Sequence, residues 1–253
     1  MSNRIIILAG LGGLVAAMTG CSSTGRGKEA FMTYRYEVAR ATEPIRIDAN
    51  WDKPAWQGIK PLTVDLYMGD EPAHRPKVQA KLAYDDENIY VIFRVEDRYV
   101  RAVAAAHQEA VCRDSCVEFF FAPGMDVSKG YFNLEMNCGG TMLLHFQTIP
   151  RKNMVPLTAE EVASIEVATT MPRIVEPEIT EPTTWIVEYR LPVRILDKYL
   201  PSAAKPAPGV QWRANFFKCA DATSHPHWLT WAKVNRPRPD FHVPEDFGVI
   251  VFE

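Results

Sequence analysis

Apolar and polar positions alternate with a period of two along most of this chain, the spacing of β-strands packed on one face. The clearest stretch sets Val78, Ala80, Leu82 and Tyr84 against Gln79, Lys81 and Ala83. Asp85-Asp86-Glu87-Asn88 interrupts it as an acidic turn, and Ile89 to Val95 returns as a nearly continuous apolar run. Together they predict a β-hairpin. Before it, Tyr34 to Arg40, Ile45 to Ile47 and Thr63 to Tyr67 read as shorter strands, with Trp51 and Trp56 as anchoring aromatics around Pro54. After it, the alanine-rich stretch from Val100 to Ala110 reads as containing a helical turn.

Two later strands carry chemistry. Val117, Phe119 and Phe121 share one face, and Cys116, Glu118 and Phe120 share the other. Both faces are mostly apolar, the mark of a central strand. Glu118 is therefore a carboxylate in dry company, which needs either a partner or a site. In Tyr131 to Asn137, Phe132, Leu134 and Met136 alternate with Asn133, Glu135 and Asn137. Asparagine is depleted in strands, so this polar face suits a polyhydroxylated ligand. Cys138-Gly139-Gly140 is the turn that leads back into Thr141 to Gln147.

Residues 150–183 are irregular, with one strand around Ile165 to Thr169. Trp185 to Arg190 is a further strand, and Pro192 to Tyr199 a short helix with proline in its first turn. Val210 to Cys219 sets Trp212, Ala214 and Phe216 opposite Arg213, Asn215 and Phe217. His225 to Phe252 packs three histidines, two tryptophans and four prolines into a run that cannot be one helix. It predicts a loop crossing the rim of the sheets before a last strand from Val249 to Phe252. Trp228 and Trp231 on that loop offer flat faces for stacking against a sugar ring, or cover one end of the core. About ten short strands and one short helix predict an all-β fold, a two-sheet antiparallel β-sandwich of jelly-roll or immunoglobulin-like type, over residues 34–253.

Composition narrows the class. Of 253 residues, 47% are hydrophobic and 11% aromatic, with a formal charge of −3 and no basic block. Nucleic acid is excluded as an expected partner. At the N-terminus, Arg4 precedes an apolar run from Ile5 to Met18. The run falls short of the roughly 20 apolar residues of a membrane span and has the length of a signal-peptide core. Met18-Thr19-Gly20-Cys21 resembles a bacterial lipobox. Residues 1–20 are then a leader, Cys21 the lipidated residue, and residues 21–33 a polar tether. That places the protein in the bacterial cell envelope, periplasmic or on the outer surface. The remaining cysteines, Cys112, Cys116, Cys138 and Cys219, form no CxxC pair. Their spacing supports neither a zinc motif nor a particular disulfide.

With the strands placed, the chain resembles the family 9 carbohydrate-binding modules, in particular family-9-like bacterial lipoproteins. The matching pieces are Ile47 to Trp51 with Trp56, Ala83 to Val91, Asp114 to Phe121, Tyr131 to Asn137, Trp185 to Pro192 and Asn215 to Gly248. The resemblance implies a β-sandwich that binds sugar without catalysis, and structural calcium in some members. It places Glu118 where members hold a carboxylate that hydrogen-bonds sugar hydroxyls, and Asn133 where a characterised module has arginine. Of the two tryptophans that clamp the sugar in such modules, one corresponds to Phe241. The other falls near Ala110 or Val111, where this chain has no aromatic. The expected ligand-binding set is Glu118, Asn133, Glu135, Lys218, Trp228 and Phe241.

Two other classes compete. Glu118 and Glu135 are the obvious carboxylate pair for a glycosidase. A DOMON-type haem module would use His225, His227 or His242 with Met136 or Met142 as axial ligands, and the same three histidines could hold a metal ion.

Overall fold

The computed structural model describes Met1 and residues 34–253. Residues 2–33, which include Cys21 and almost all of the expected leader and tether, lie outside the described residues.

The chain opens with β1 (Arg35–Arg40), β2 (Leu62–Thr63) and β3 (Leu66–Tyr67), then the hairpin β4 (Lys77–Tyr84) and β5 (Asn88–Asp97). There follow β6 (Val100–Ala102), β7 (Cys116–Ala122), β8 (Tyr131–Asn137), β9 (Met142–Gln147) and β10 (Met154–Pro156). Helix α1 (Ala159–Ala163) precedes β11 (Glu166–Thr169), β12 (Val175–Ile179) and β13 (Thr183–Pro192). Helix α2 (Arg194–Tyr199), β14 (Gln211–Cys219), β15 (Trp228–Thr230) and β16 (Gly248–Phe252) complete the fold.

One layer runs β10-β9-β8-β7-β14-β16-β1 and the other β1-β4-β5-β13-β11. Strand β1 belongs to both. Its first four residues pair with β16 and its last two with β4, in parallel each time, against the antiparallel rule of the other pairs. Between the layers lie the alternating apolar residues read from the sequence: Val78 to Tyr84, Val117 to Phe121, Phe132 to Met136, and Trp212 to Phe216. The expected hairpin forms with Val78 opposite Val95 and Tyr84 opposite Ile89. In its acidic turn, Asp85 accepts hydrogen bonds from the Glu87 and Asn88 backbone and from Tyr90, while Asp86 pairs with Arg40.

Several local expectations are corrected: Thr63 to Tyr67 is split between β2 and β3, residues 150–182 hold β10, β11 and β12 rather than one strand, and Pro192 ends β13 rather than opening α2. Ile45 to Ile47 is no strand; it lies over the outer face of the second layer, burying Ile45, Ile47 and Trp56 against Ala83, Tyr90 and Ile92. The alanine-rich stretch forms β6, an extended segment and, at residues 106–109, a turn in which Gln108 takes a φ of 71°, instead of a helical turn. There Asp114 accepts hydrogen bonds from the backbone N–H groups of Val103 and Ala104, capturing donors a helix would need. A second helix, α1, joins the one expected. Thr158 and Glu161 close a capping box at its start, the S/T-x-x-E signature legible in the sequence.

The segment over the second layer is pinned by one side chain. Glu188, fully buried, accepts hydrogen bonds from Asp48 N at 2.9 Å, Ala49 N at 2.7 Å and Trp56 Nε1 at 2.8 Å. Lys53 Nζ lies 2.5 Å from the same carboxylate. Removing one partner of a buried, paired charge costs about 3–5 kcal/mol. Glu188→Ala is therefore expected to lower unfolding free energy by about that amount, read from urea denaturation.

Candidate functional site

The outer face of the first layer is dry as well. Register sets Glu118 of β7 opposite Glu135 of β8 on one side and Phe217 of β14 on the other. Cys116 lies opposite Cys219. Residues 233–247 then cross this face, so Val234, Phe241, Val243 and Phe247 bury Phe120, Phe217 and Cys219 beneath them. Phe241 stacks on Phe217 with centroids 4.1 Å apart and planes 12° from parallel. Arg213 fastens the end of this cover, donating to the carbonyls of Glu245 and Phe247.

Beside the cover lies a pocket of about 150 Å³. Glu118, Glu135 and Cys219 line it together with Trp228, Phe241 and His242. Trp228 is half-buried, and its Nε1 donates to Asp221 at 2.8 Å. A larger depression of about 480 Å³ beside Arg190 and Arg194 has no buried carboxylate and no aromatic face.

Only 2% of Glu118 and 6% of Glu135 is exposed, so water barely stabilises either charge. Glu118 Oε1 accepts a weak hydrogen bond from the Cys219 thiol at 3.1 Å, while Oε2 is buried with no hydrogen-bond partner among the described residues. Burial, then the neighbouring Glu135, pushes the Glu118 carboxyl well above its usual range. Burial likewise raises Glu135 to about 7, against the opposing pull of the Asn133 hydrogen bond and the Arg151 charge. The two carboxyls are coupled: ionising one makes ionising the other harder.

A relay of amides orients Glu135. Gln147 accepts from Arg151 N at 2.8 Å and donates to Asn133 Oδ1 at 2.7 Å. That leaves the Asn133 amino group to donate to Glu135 Oε1 at 3.0 Å. Gln147 and Tyr131 also reach His242 Nδ1, at 3.3 and 2.8 Å. An amide N–H can only donate, so Nδ1 accepts and the neutral ring carries its proton on Nε2. Burial, reinforced by Arg151, holds His242 down at about 4.

Known proteins share this architecture. The family model described as carbohydrate-binding family 9 matches residues 50–252. The chain belongs to carbohydrate-binding family 9. Among solved structures, a Bacteroides uniformis protein provisionally described as carbohydrate-binding is similar, with a TM-score of 0.77 and 24% identity. The similarity covers 87% of this chain and 99% of that one. Two structures of a family 9 module from Caldicellulosiruptor kristjanssonii share the fold, each over 87% of this chain. The glucose complex has TM-score 0.58, 15% identity and 95% coverage of its own chain. The cellotriose complex has TM-score 0.59, 17% identity and 93% coverage. The comparison with curated proteins yields no match.

Within this family 9 module, Glu118, Glu135, Trp228 and Phe241 of the expected set meet at one pocket. Asn133 stands behind Glu135 and positions it. Lys218 is a correction: its side chain turns to the opposite face, buried between the layers. Its Nζ contacts His227 Nε2 at 2.7 Å and pairs with Asp97 at 3.5 Å. Period-two parity with Phe216 already excluded it from the pocket side. Asn137 is also spent structurally, on the Gly139 and Thr141 backbone and on Asp114.

Trp231 covers the core, edge-on to Phe216 and so close over Gly248 that a Cβ there would meet its ring at 2.7 Å. The histidines go separate ways. His225 stacks on Tyr99, His227 bonds Lys218, and His242 belongs to the pocket, while Met136 and Met142 point into the interlayer core. No shared haem or three-histidine site forms among these described residues. Asp221 and Arg151 are absent from the expected set, and His242 stands in it only as a haem or metal ligand, because connections between strands deliver all three to the pocket.

The raised carboxyl gives a pH signature. Glu135 keeps its proton to about pH 7 in the fold but ionises near 4.5 when exposed, so the folded state binds the extra proton between these values. Stability from this group is full below pH 4.5 and is lost as pH rises through 7. Melting temperatures between about pH 4.5 and 8 are expected to fall more steeply for the unaltered chain than for Glu135→Gln.

Proposed function

We propose that this chain is a carbohydrate-binding protein that holds a single sugar unit of a glycan in this pocket without turning it over. The observation that carries the reading is the unpartnered Glu118 Oε2, buried in a family 9 pocket lined by Trp228 and Phe241. A sugar hydroxyl donates to that oxygen. The His242 Nε2–H and whichever of Glu118 and Glu135 is protonated donate to the sugar's oxygens. The apolar C–H face of the ring lies on Trp228 or on the free face of Phe241, whose other face is taken by Phe217. The pocket is smaller than the sites that enclose drug-sized ligands, which fits one ring rather than a buried chain. Structures of family 9 modules with glucose and cellotriose support a saccharide ligand. The resemblance of Met18 to Cys21 to a lipobox supports an envelope protein tethered by lipid.

Burial gives Glu135 the raised pKa a catalytic acid needs, a property that sequence alone did not mark. Membership of carbohydrate-binding family 9 is what speaks against hydrolysis here.

Glycan-array binding by the full chain in detergent is expected, with no released product from the bound glycans. Trp228→Ala and Phe241→Ala are each expected to weaken binding about tenfold, or about 1.4 kcal/mol. Undiminished binding in both variants would make the cover purely structural. Turnover that vanishes in Glu118→Gln would instead establish a hydrolase.

A further inference from the structure

Cysteines that share no motif along the chain converge across the sheet. Cys116 and Cys219 are direct partners in the β7–β14 register, and Glu118 projects from the same face two positions along β7. The two sulfurs and a Glu118 carboxylate oxygen all lie within 4.8 Å of one another. A tetrahedral zinc ion with two thiolates and one carboxylate, at about 2.3 and 2.0 Å, sets those ligand atoms about 3.5–3.8 Å apart. The three side chains already stand close to that arrangement. Both cysteines are free and buried, and Glu118 Oε2 has no hydrogen-bond partner among the described residues.

We propose that Cys116, Cys219 and Glu118 bind a zinc-type divalent cation in the floor of the pocket. Cys219 and Glu118 both face the opening, so the fourth coordination position is left to water or a ligand hydroxyl. Binding releases the two thiol protons and the proton held by Glu118 to solvent, so that two thiolates and one carboxylate coordinate with no change of oxidation state. Thiolates select zinc over calcium or magnesium, which take oxygen donors. The cation supplies positive charge where two carboxyls and two thiols crowd together. The site shares Glu118 with the sugar reading but does not rest on it.

The test titrates the reduced, chelator-stripped full chain with Co²⁺ as a spectroscopic probe. One equivalent is expected to produce a thiolate-to-cobalt charge-transfer band in the near ultraviolet and tetrahedral bands in the visible. One equivalent of Zn²⁺ should bleach both. Cys116→Ser combined with Cys219→Ser is expected to abolish the bands, and Glu118→Gln to weaken Co²⁺ binding at least tenfold. Cys138→Ser, which alters a thiol buried in the interlayer core, should leave them intact. Absence of the band in the unaltered chain overturns the proposal whether or not the double variant folds. So does a band that survives in a folded double variant. Trp228→Ala separates the two readings: sugar binding weakens about tenfold while the cobalt band remains. Glycan binding by an unaltered chain without the band removes the metal site and leaves the sugar reading standing.

Discussion

A strand buried on both faces sends alternate side chains into two different dry compartments, and β7 does so within its layer. Val117, Phe119 and Phe121 enter the core between the layers, while Cys116, Glu118 and Phe120 enter the space beneath the 233–247 cover. Burying an ionised carboxylate without compensation is expensive. The raised pKa of the glutamate pair and the open oxygen on Glu118 both follow from placing these carboxyls on the dry outer face.

The fold treats two buried glutamates in opposite ways. Glu188 accepts two backbone N–H groups and an indole N–H, with Lys53 beside it, so its charge is satisfied by the protein itself. Glu118 has one thiol donor and a second oxygen with none among the described residues. Saturated, a buried carboxylate fastens a segment. Left half-bonded at a pocket, it keeps capacity for something from outside. Lys218, with Asp97 and His227, is a third arrangement in which the buried charge is paired inside the core.

Much of this architecture is legible in the order of residues alone. The period of two determines which side of β7 and β8 each residue faces, and the turn chemistry at Asp85 to Asn88 determines the hairpin. What is not legible there depends on distant parts of the chain. Ile45 to Ile47 has a strand's alternation, but Glu188, far along the sequence, holds that segment against the sheet surface. Alanines between Val103 and Ala110 favour helix, yet Asp114 takes up two of the backbone donors there. Lys218 alternates with the pocket-facing positions of β14, so its inward direction is a matter of parity, while a buried lysine between two apolar layers runs against ordinary expectation. The cysteine pair leaves no trace in linear spacing, which says nothing about strands brought together from opposite halves of the chain.

Strand β1 bridges the layers by pairing with β16 at Arg35 to Val38 and with β4 at Ala39 and Arg40. The earliest described strand therefore waits for the latest. During synthesis, β4 and β5 can pair as soon as they emerge, but the β1–β16 seam cannot close until almost the whole chain has left the ribosome. Contacts this distant in sequence slow folding. Until they form, the edges of β1 and β14 stand unpaired and open to strands of other molecules. The seam that gives the mature protein one continuous sheet thus also lengthens the time during which a newborn chain needs protection from its neighbours.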